Sequence, residues 1–292
     1  MLSRRMPATV AIVGAGRVGR ALGLRLREIG WTIGAVVTRS KATARAAVRA
    51  IGAGQAHGEL TRQVLGADVI LIATPDGAVR DVGGKLGRMG GEEWRGKVVL
   101  HTSGALDGTA LEPLKRRGAA TGSLHPLQTF SGQGAPVLDG LVFAVEGDRA
   151  AVRVARRMAR ELGGVPVPLD ARSKPAYHAA GALVAGHVLG IVEAATRILM
   201  ALGFKRRQAA RALLPLMRQT LQNFERLGPS ASWTGPVSRG DYATIARHVA
   251  ALRRFPREYR AAYAALTRLS AAALARNPRA ALRRLAPVLG KS

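Results

Sequence analysis

The residues that could do chemistry begin with three glycines. The loop Gly14-Ala15-Gly16-Arg17-Val18-Gly19 follows a short apolar run, Thr9–Val13, and opens a stretch whose Val18, Leu22, Leu26 and Ile29 recur at helical spacing. Glycines so placed let the chain turn tightly, bring the backbone close to a pyrophosphate and pack a helix on a strand. The helix start then offers unpaired N–H groups to the anion. The spacing alone is common, but a strand before it and a helix after it are the setting that a dinucleotide site requires. The loop predicts cofactor contacts from Gly14, Gly16, Arg17, Val18 and Gly19. About 20 residues further on, an NAD site places an acid on the ribose hydroxyls. Here stands Thr38-Arg39-Ser40-Lys41, with no acid. Hydroxyls and a guanidinium suit a 2′-phosphate, so Thr38, Arg39 and Ser40 predict NADP(H) as the cofactor. Ser40 also reads as the N-cap of the following helix.

Further candidates stand where later apolar runs end. Thr74-Pro75, Ser103-Gly104 and His125 each follow such a run, and ligands of open α/β sheets sit beyond the carboxyl ends of the strands. Thr74 and Pro75 are expected beside the cofactor and Ser103 beside a substrate carbonyl or carboxylate. His125, with a pKa ordinarily near neutrality, is expected to protonate the atom that gains charge as hydride arrives. Its structural alternative is a turn-capping histidine ahead of Pro126. Lys174 and His178 lie about 40° apart around a helix and so share a face; both are catalytic candidates. Their alternatives are a solvated lysine ahead of Pro175 and a histidine satisfied by helix packing. Arg239, in Thr234-Gly235-Pro236-Val237-Ser238-Arg239-Gly240-Asp241, sits on a tight loop from which a guanidinium could grip a substrate carboxylate. Alternatively it braces the loop against Asp241, itself an N-cap candidate. His178 and His187 fall on opposite sides of their helix, and no histidine pair has thiol or carboxylate company, so no metal site is expected.

These residues need a frame. Strands are expected at Thr9–Val13, Ile33–Thr38, Val69–Thr74, Val98–His101, Ala119–Leu124, Leu141–Val145 and Val165–Val167, with helices near 17–29, 41–51 and 149–162. Such alternation implies a parallel sheet clothed by helices on both faces, the doubly wound Rossmann arrangement. From Ser173 onward Ala and Leu dominate, and helices are expected at about 174–202, 205–227, 241–253 and 256–287, the last broken near Pro278. Gly203 and Gly228 are natural stops. The segment 179–202 is apolar on nearly all sides, which predicts a helix buried all round. The chain therefore reads as a dinucleotide-binding domain, residues 1–170, and an all-α domain for dimerisation and substrate, residues 171–292.

Several motifs resemble one family. Thr74-Pro75-Asp76, His101-Thr102-Ser103-Gly104, Leu124-His125-Pro126-Leu127-Gln128-Thr129-Phe130, Lys174 with Tyr177-His178, and the Arg239 loop are similar to the candidate NADP oxidoreductases that join a Rossmann-like domain to a C-terminal domain of unknown function. These belong to the wider 6-phosphogluconate dehydrogenase-like group. The similarity runs from about residue 8 to the final helices. It implies an all-α second domain that dimerises and nicotinamide binding between domains, and it leaves the substrate open. It also implies that a second subunit can complete the substrate pocket, near Arg239. Lys174 resembles the general-acid lysine of β-hydroxyacid dehydrogenases, except that His178 stands roughly where those enzymes carry asparagine. The family also has asparagine where this chain has His187.

Composition narrows the classes. Apolar residues make up 48% of the 292 and there is no cysteine, which excludes a disulfide framework and a thiol nucleophile. The start, Met1-Leu2-Ser3-Arg4-Arg5-Met6-Pro7, is basic like a secretory leader but lacks its apolar core, and no apolar run is expected to cross a membrane. A cytoplasmic protein is the expectation. The net charge is +27, with +19 of it in residues 151–292. A nucleic-acid partner would account for that charge, but aromatics are only 4% and no recognition motif accompanies it, so none is expected. The expectation is a reductase of a small carbonyl or imine; the rival is a dinucleotide-binding sensor on the same fold.

Overall fold

The computed structural model describes residues 8–132 and 137–290; the basic stretch 1–7 lies outside them. It divides into two compact units, 1–185 and 186–292. The helix that starts at Lys174 thus falls in the first unit, on the other side of the boundary expected at residue 170.

The first unit is an eight-stranded sheet in the order β3-β2-β1-β4-β5-β6-β7-β8. Its strands are β1 (Thr9–Val13), β2 (Thr32–Val37), β3 (Gln55–His57), β4 (Val69–Ile72), β5 (Val98–His101), β6 (Ala120–Pro126), β7 (Val142–Gly147) and β8 (Val165–Pro168). The helices are α1 (Arg17–Glu28), α2 (Lys41–Ile51), α3 (Asp76–Met89), the single turn α4 (Glu112–Lys115), α5 (Arg149–Glu161) and α6 (Lys174–Val184). Alternate residues of each strand enter opposite layers of core. Val10, Ile12, Leu100, Leu124 and Phe143 pack with Leu22, Leu26 and Met158 on one face. Ala11, Val13, Ile70, Ile72 and Val99 pack with Val79, Leu86 and Trp94 on the other. Burial on both faces explains why the strands are continuous apolar runs.

Three features depart from the expected pattern. The pair β6–β7 is antiparallel, whereas β7–β8 is parallel, so the sheet is mostly and not wholly parallel. β3 is too short for its periodicity to register. α3 carries Gly77, Gly83, Gly84 and Gly87, a composition that weakens the helical signal. Two of them serve close packing: a Cβ on Gly83 would lie 3.1 Å from Leu111 and one on Gly87 3.2 Å from the Pro113 carbonyl.

The second unit is helical: α7 (Gly186–Ala201), α8 (Arg206–Ser232), α9 (Tyr242–Ala251), α10 (Arg257–Leu274) and α11 (Pro278–Leu289). The expected helix over 174–202 is broken at Ala185, whose φ −109° and ψ −84° are not helical. Gly228, at φ 74°, interrupts α8 where a stop was expected. Ile245, Ala264, Ala271, Leu285 and Leu289 form the core of α9–α11. The segment 179–202 is not buried all round: Thr196 is the only buried residue of α7. Residues 171–201 also contain a window long and apolar enough to cross a membrane by length and composition, with mean hydropathy 1.5 and 6% of it buried. The expectation that no such run exists is therefore corrected; the stretch Pro175–Val192 holds no Lys, Arg, Asp or Glu.

Candidate dinucleotide and substrate site

The strand ends step along one edge of the sheet. Gly14 N donates to Val37 O, Ala73 N to Val13 O and Thr102 N to Ile72 O. Each loop is thereby fixed to a neighbouring strand of the sheet, and the β1–α1, β4–α3 and β5 loops form a single rim at the carboxyl ends, the usual ligand position in such sheets.

At the β1–α1 turn, Gly14 has φ +90°, and a Cβ there would lie 2.6 Å from Thr74 Cγ2 and 2.7 Å from Thr74 N. A Cβ on Gly19 would lie 2.6 Å from Gly14 O, so these two glycines are required by the fold itself. Gly16 differs, because a Cβ there would meet nothing within 4 Å. It is the N-cap of α1 and brings no side-chain acceptor, so the first amides of the helix stay open to an anion. Beside them Thr74 Oγ1 is buried without a hydrogen-bond partner. An open glycine, uncapped amides and an orphaned buried hydroxyl together fit the pyrophosphate of a dinucleotide.

A cavity of about 980 Å³ opens here, lined by Gly14, Gly16, Thr38, Arg39, Thr74 and Pro75. Of the other expected cofactor contacts, Arg17, Val18, Gly19 and Ser40 do not line it. Ser40 instead caps α2, accepting from Thr43 N at 3.2 Å, and Thr38 Oγ1 donates to Ser40 O. The far wall carries Glu59 and Leu60 on one side and Asp81 and Lys85 of α3 on the other. Glu59 escaped the sequence reading because it follows β3, which pairing with β2 draws up beside Thr38.

The second cluster gathers around Gly104, outside that cavity. His125 Nδ1 lies 3.0 Å from Tyr177 OH, and the ring stands edge-on to Tyr177 and to His178, with centroids 5.5 and 5.9 Å away. A Cβ on Gly104 would fall 2.8 Å from His125 Nε2 and 2.7 Å from His178 Cδ2. Glycine is therefore required there, because the loop backbone packs directly against both rings. Burial, reinforced by the Lys174 and His178 charges, pulls His125 down to about 4. It is a neutral imidazole at physiological pH, whereas the sequence reading supposed an ordinary value. Burial pushes Tyr177 up to about 12.

Ser103 is buried, and its Oγ accepts from Ala105 N and Leu106 N. Its own amide donates to His101 Nδ1, and His101 Nε2 faces Asp107 O at 3.0 Å. Lys174 is 0% exposed, with Nζ donating to Ser103 O and Ser123 Oγ at 3.1 and 2.7 Å. It lies beneath the site and is not the solvated first-turn lysine that its position suggested. His178 is exposed and packs beside His125. Arg239 belongs to the second unit, where it is exposed, and Asp241 caps α9 by accepting from Thr244 N. Tyr177, Ser123 and Glu146 were not expected at the site. Ser123 and Glu146 could be found only through the β6–β7 pairing that sets them opposite one another.

A doubly wound sheet with a glycine loop on β1–α1 and a helical second unit defines a Rossmann-like protein by class. Residues 3–126 match the Rossmann-like domain and residues 141–270 a domain of unknown function, DUF2520. The chain thus joins a Rossmann-like domain to a DUF2520 domain. No curated protein is detectably similar to it. A Bacteroides fragilis protein named as a candidate NADP oxidoreductase is 21% identical, with a TM-score of 0.73 over 91% of this chain and 98% of that one. A Thermotoga maritima protein is 24% identical, with a TM-score of 0.69 over 89% and 96%. A reductive aminase from Aspergillus terreus, solved with NADPH and ethyl levulinate, is 16% identical, with a TM-score of 0.66 over 96% and 100%. At these identities the likeness is one of fold.

Proposed function

We propose that the protein is an NADP(H)-dependent reductase of a small carbonyl or imine compound. The observation that carries this reading is a neutral histidine with a free ring nitrogen, placed on the same sheet edge as a phosphate-fitting glycine loop. NADPH, when bound, supplies the hydride. His125 Nε2–H donates to the substrate oxygen or nitrogen that gains charge. Tyr177, kept protonated by its raised pKa, donates to Nδ1 and so holds the hydrogen on Nε2. A neutral imidazole is an effective donor in this role because it need not be charged first. The Ser103–Gly104 turn packs against its ring and holds it in place, and Arg239 is the proposed anchor for a substrate carboxylate. The direct test is NADPH consumption against a panel of ketones, keto acids and preformed imines. NADPH binding with no turnover across the panel would favour the sensor reading, which the position of His125 outside the large cavity also accommodates.

NADPH is proposed over NADH because Arg39 lines the cavity beside Thr38. Arg39→Ala is expected to weaken NADPH by about 1.5–3 kcal/mol, the range for hydrogen bonds to a charged group, and to leave NADH unchanged. Tryptophan fluorescence titration with both nucleotides checks this. Equal affinity of the unmodified protein for the two would refute it.

The second unit is proposed to form a homodimer through α7 and α8. Leu189, Leu216, Leu221 and Phe224 are 71, 66, 63 and 54% exposed, an apolar face larger than scattered surface residues produce. Leu216→Glu with Phe224→Glu is expected to shift the sedimentation coefficient to that of a monomer. A monomeric unmodified protein would end the idea.

A further inference from the structure

Beneath the Gly104 site lies a buried polar chain that the proposed chemistry does not use. Lys174 Nζ donates to Ser123 Oγ at 2.7 Å, and Ser123 Oγ donates on to Glu146 Oε2 at 3.4 Å. The same carboxylate oxygen accepts Gly108 N at 2.9 Å, while Lys174 Nζ also holds Ser103 O. The loop from Ser103 to Gly108 is therefore gripped at both ends by one Lys174–Ser123–Glu146 relay. His101 ties the two ends together through Ser103 N and Asp107 O.

We propose that Lys174 is a positioning residue: through Ser103 O and through Ser123 to Glu146 it clamps the 103–108 loop onto β6 and β7, one helical turn before the Tyr177 and His178 contacts with His125. The inference rests on the reading of His125 as the group that meets substrate. It assigns Lys174 no contact with substrate, since Nζ is sealed from solvent. A lysine charge enclosed at 0% exposure costs desolvation that apolar packing would not, so a role in fixing one loop geometry is the better account of its presence. The charge has a definite direction. A cation near an imidazole opposes its protonation, and both His125 and His101 are lowered partly by Lys174, with burial the larger cause. The other groups that face His125 are His178, His101 and Asp76, of which Asp76 alone raises it. Lys174 itself is lowered to about 8 by burial, opposed by Glu146, Asp107 and Asp76. It therefore stays mostly charged at neutral pH.

The test uses the full chain without substrate, so that it can fail while the reductase reading stands. Lys174→Met removes the charge, and Lys174→Met with Glu146→Gln removes both charges in case the single variant leaves a carboxylate too costly to fold around. Two quantities are read: the NMR titration midpoint of the His125 ring, assigned from His125→Gln, and amide exchange across residues 103–108. In the folded variant the midpoint is expected to rise by about one pH unit. Exchange in the loop is expected to quicken about ten-fold or more, with α1 exchange unchanged. A midpoint that does not move, or loop exchange that does not quicken, in either folded variant overturns the proposal. So does failure of both variants to fold, which would leave Lys174 a structural cation. Turnover lost in His125→Ala but with this coupling absent would separate the two claims.

Discussion

Replacing His125 by alanine is expected to slow hydride transfer by about 10²–10⁴-fold, the usual worth of a positioned proton donor, with the NADPH dissociation constant nearly unchanged. The separation follows from the geometry: His125 packs against Gly104 and does not line the cavity that holds the phosphate loop. The pH profile gives an independent check. A histidine lowered to about 4 does not change charge between pH 5.5 and 8, so the rate should show no step near 6.5. Any acid limb falls near pH 4, where protonation of Nδ1 displaces the bond from Tyr177. Tyr177→Phe should then cost less than His125→Ala, because Nε2 remains and only its tautomer is released. Single-turnover absorbance of NADPH across pH measures all three. Full turnover in His125→Ala would return the residue to a turn-capping role.

Gly14→Ala is expected to weaken NADPH about 10²-fold and to lower the melting temperature as well. The added Cβ would sit 2.6–2.8 Å from Thr74 and Ala73 atoms, at a φ of +90° that alanine rarely adopts. Gly16→Ala should separate the two effects. Its Cβ meets no protein atom within 4 Å, so melting should hold while a methyl group intrudes where the pyrophosphate approaches. Fluorescence titration beside calorimetry distinguishes them. Unchanged NADPH affinity in Gly16→Ala would show that the phosphate does not lie against that glycine.

The parts of the site that the sequence displays are those set by short-range rules. The glycine loop needs only a strand before it and a helix after it. Ser40 and Asp241 cap helices that begin one residue later, as local hydrogen bonding dictates. Ser103 and His125 were recognisable because apolar runs end beside them. Long-range pairing is what stayed hidden. Glu59 reaches the cavity through β3, three residues whose pairing with β2 no periodicity announces. Glu146 reaches Ser123 through an antiparallel pairing, in a stretch whose alternation with helices suggested a parallel one. Lys174 shows the same limit from the other side. A lysine beside a proline at a helix start reads as solvated, and only tertiary contacts reveal that its charge is enclosed. The exposed α7 reverses the argument: the nearly all-apolar segment 179–202 suggested burial that the isolated chain does not provide.

The reversal of direction between β6 and β7 also determines how α6 meets the sheet. Because β8 runs with β7, it finishes at the end of the sheet opposite the ligand loops, and the helix that follows must climb back alongside β6. On the way it meets that strand at regular intervals: Lys174 at Ser123, Tyr177 and His178 at His125, and Gly181 at Leu127, where a Cβ would come within 3.2 Å. Four residues of helix rise about 6 Å and two residues of strand about 6.6 Å, so the two elements keep step like matched gear teeth. One tooth is the lysine anchor and the next is the tyrosine–histidine contact. Helix and strand can slide past each other only by breaking every engagement together, which makes the spacing between anchor and reactive group a property of backbone pitch and not of any single side chain.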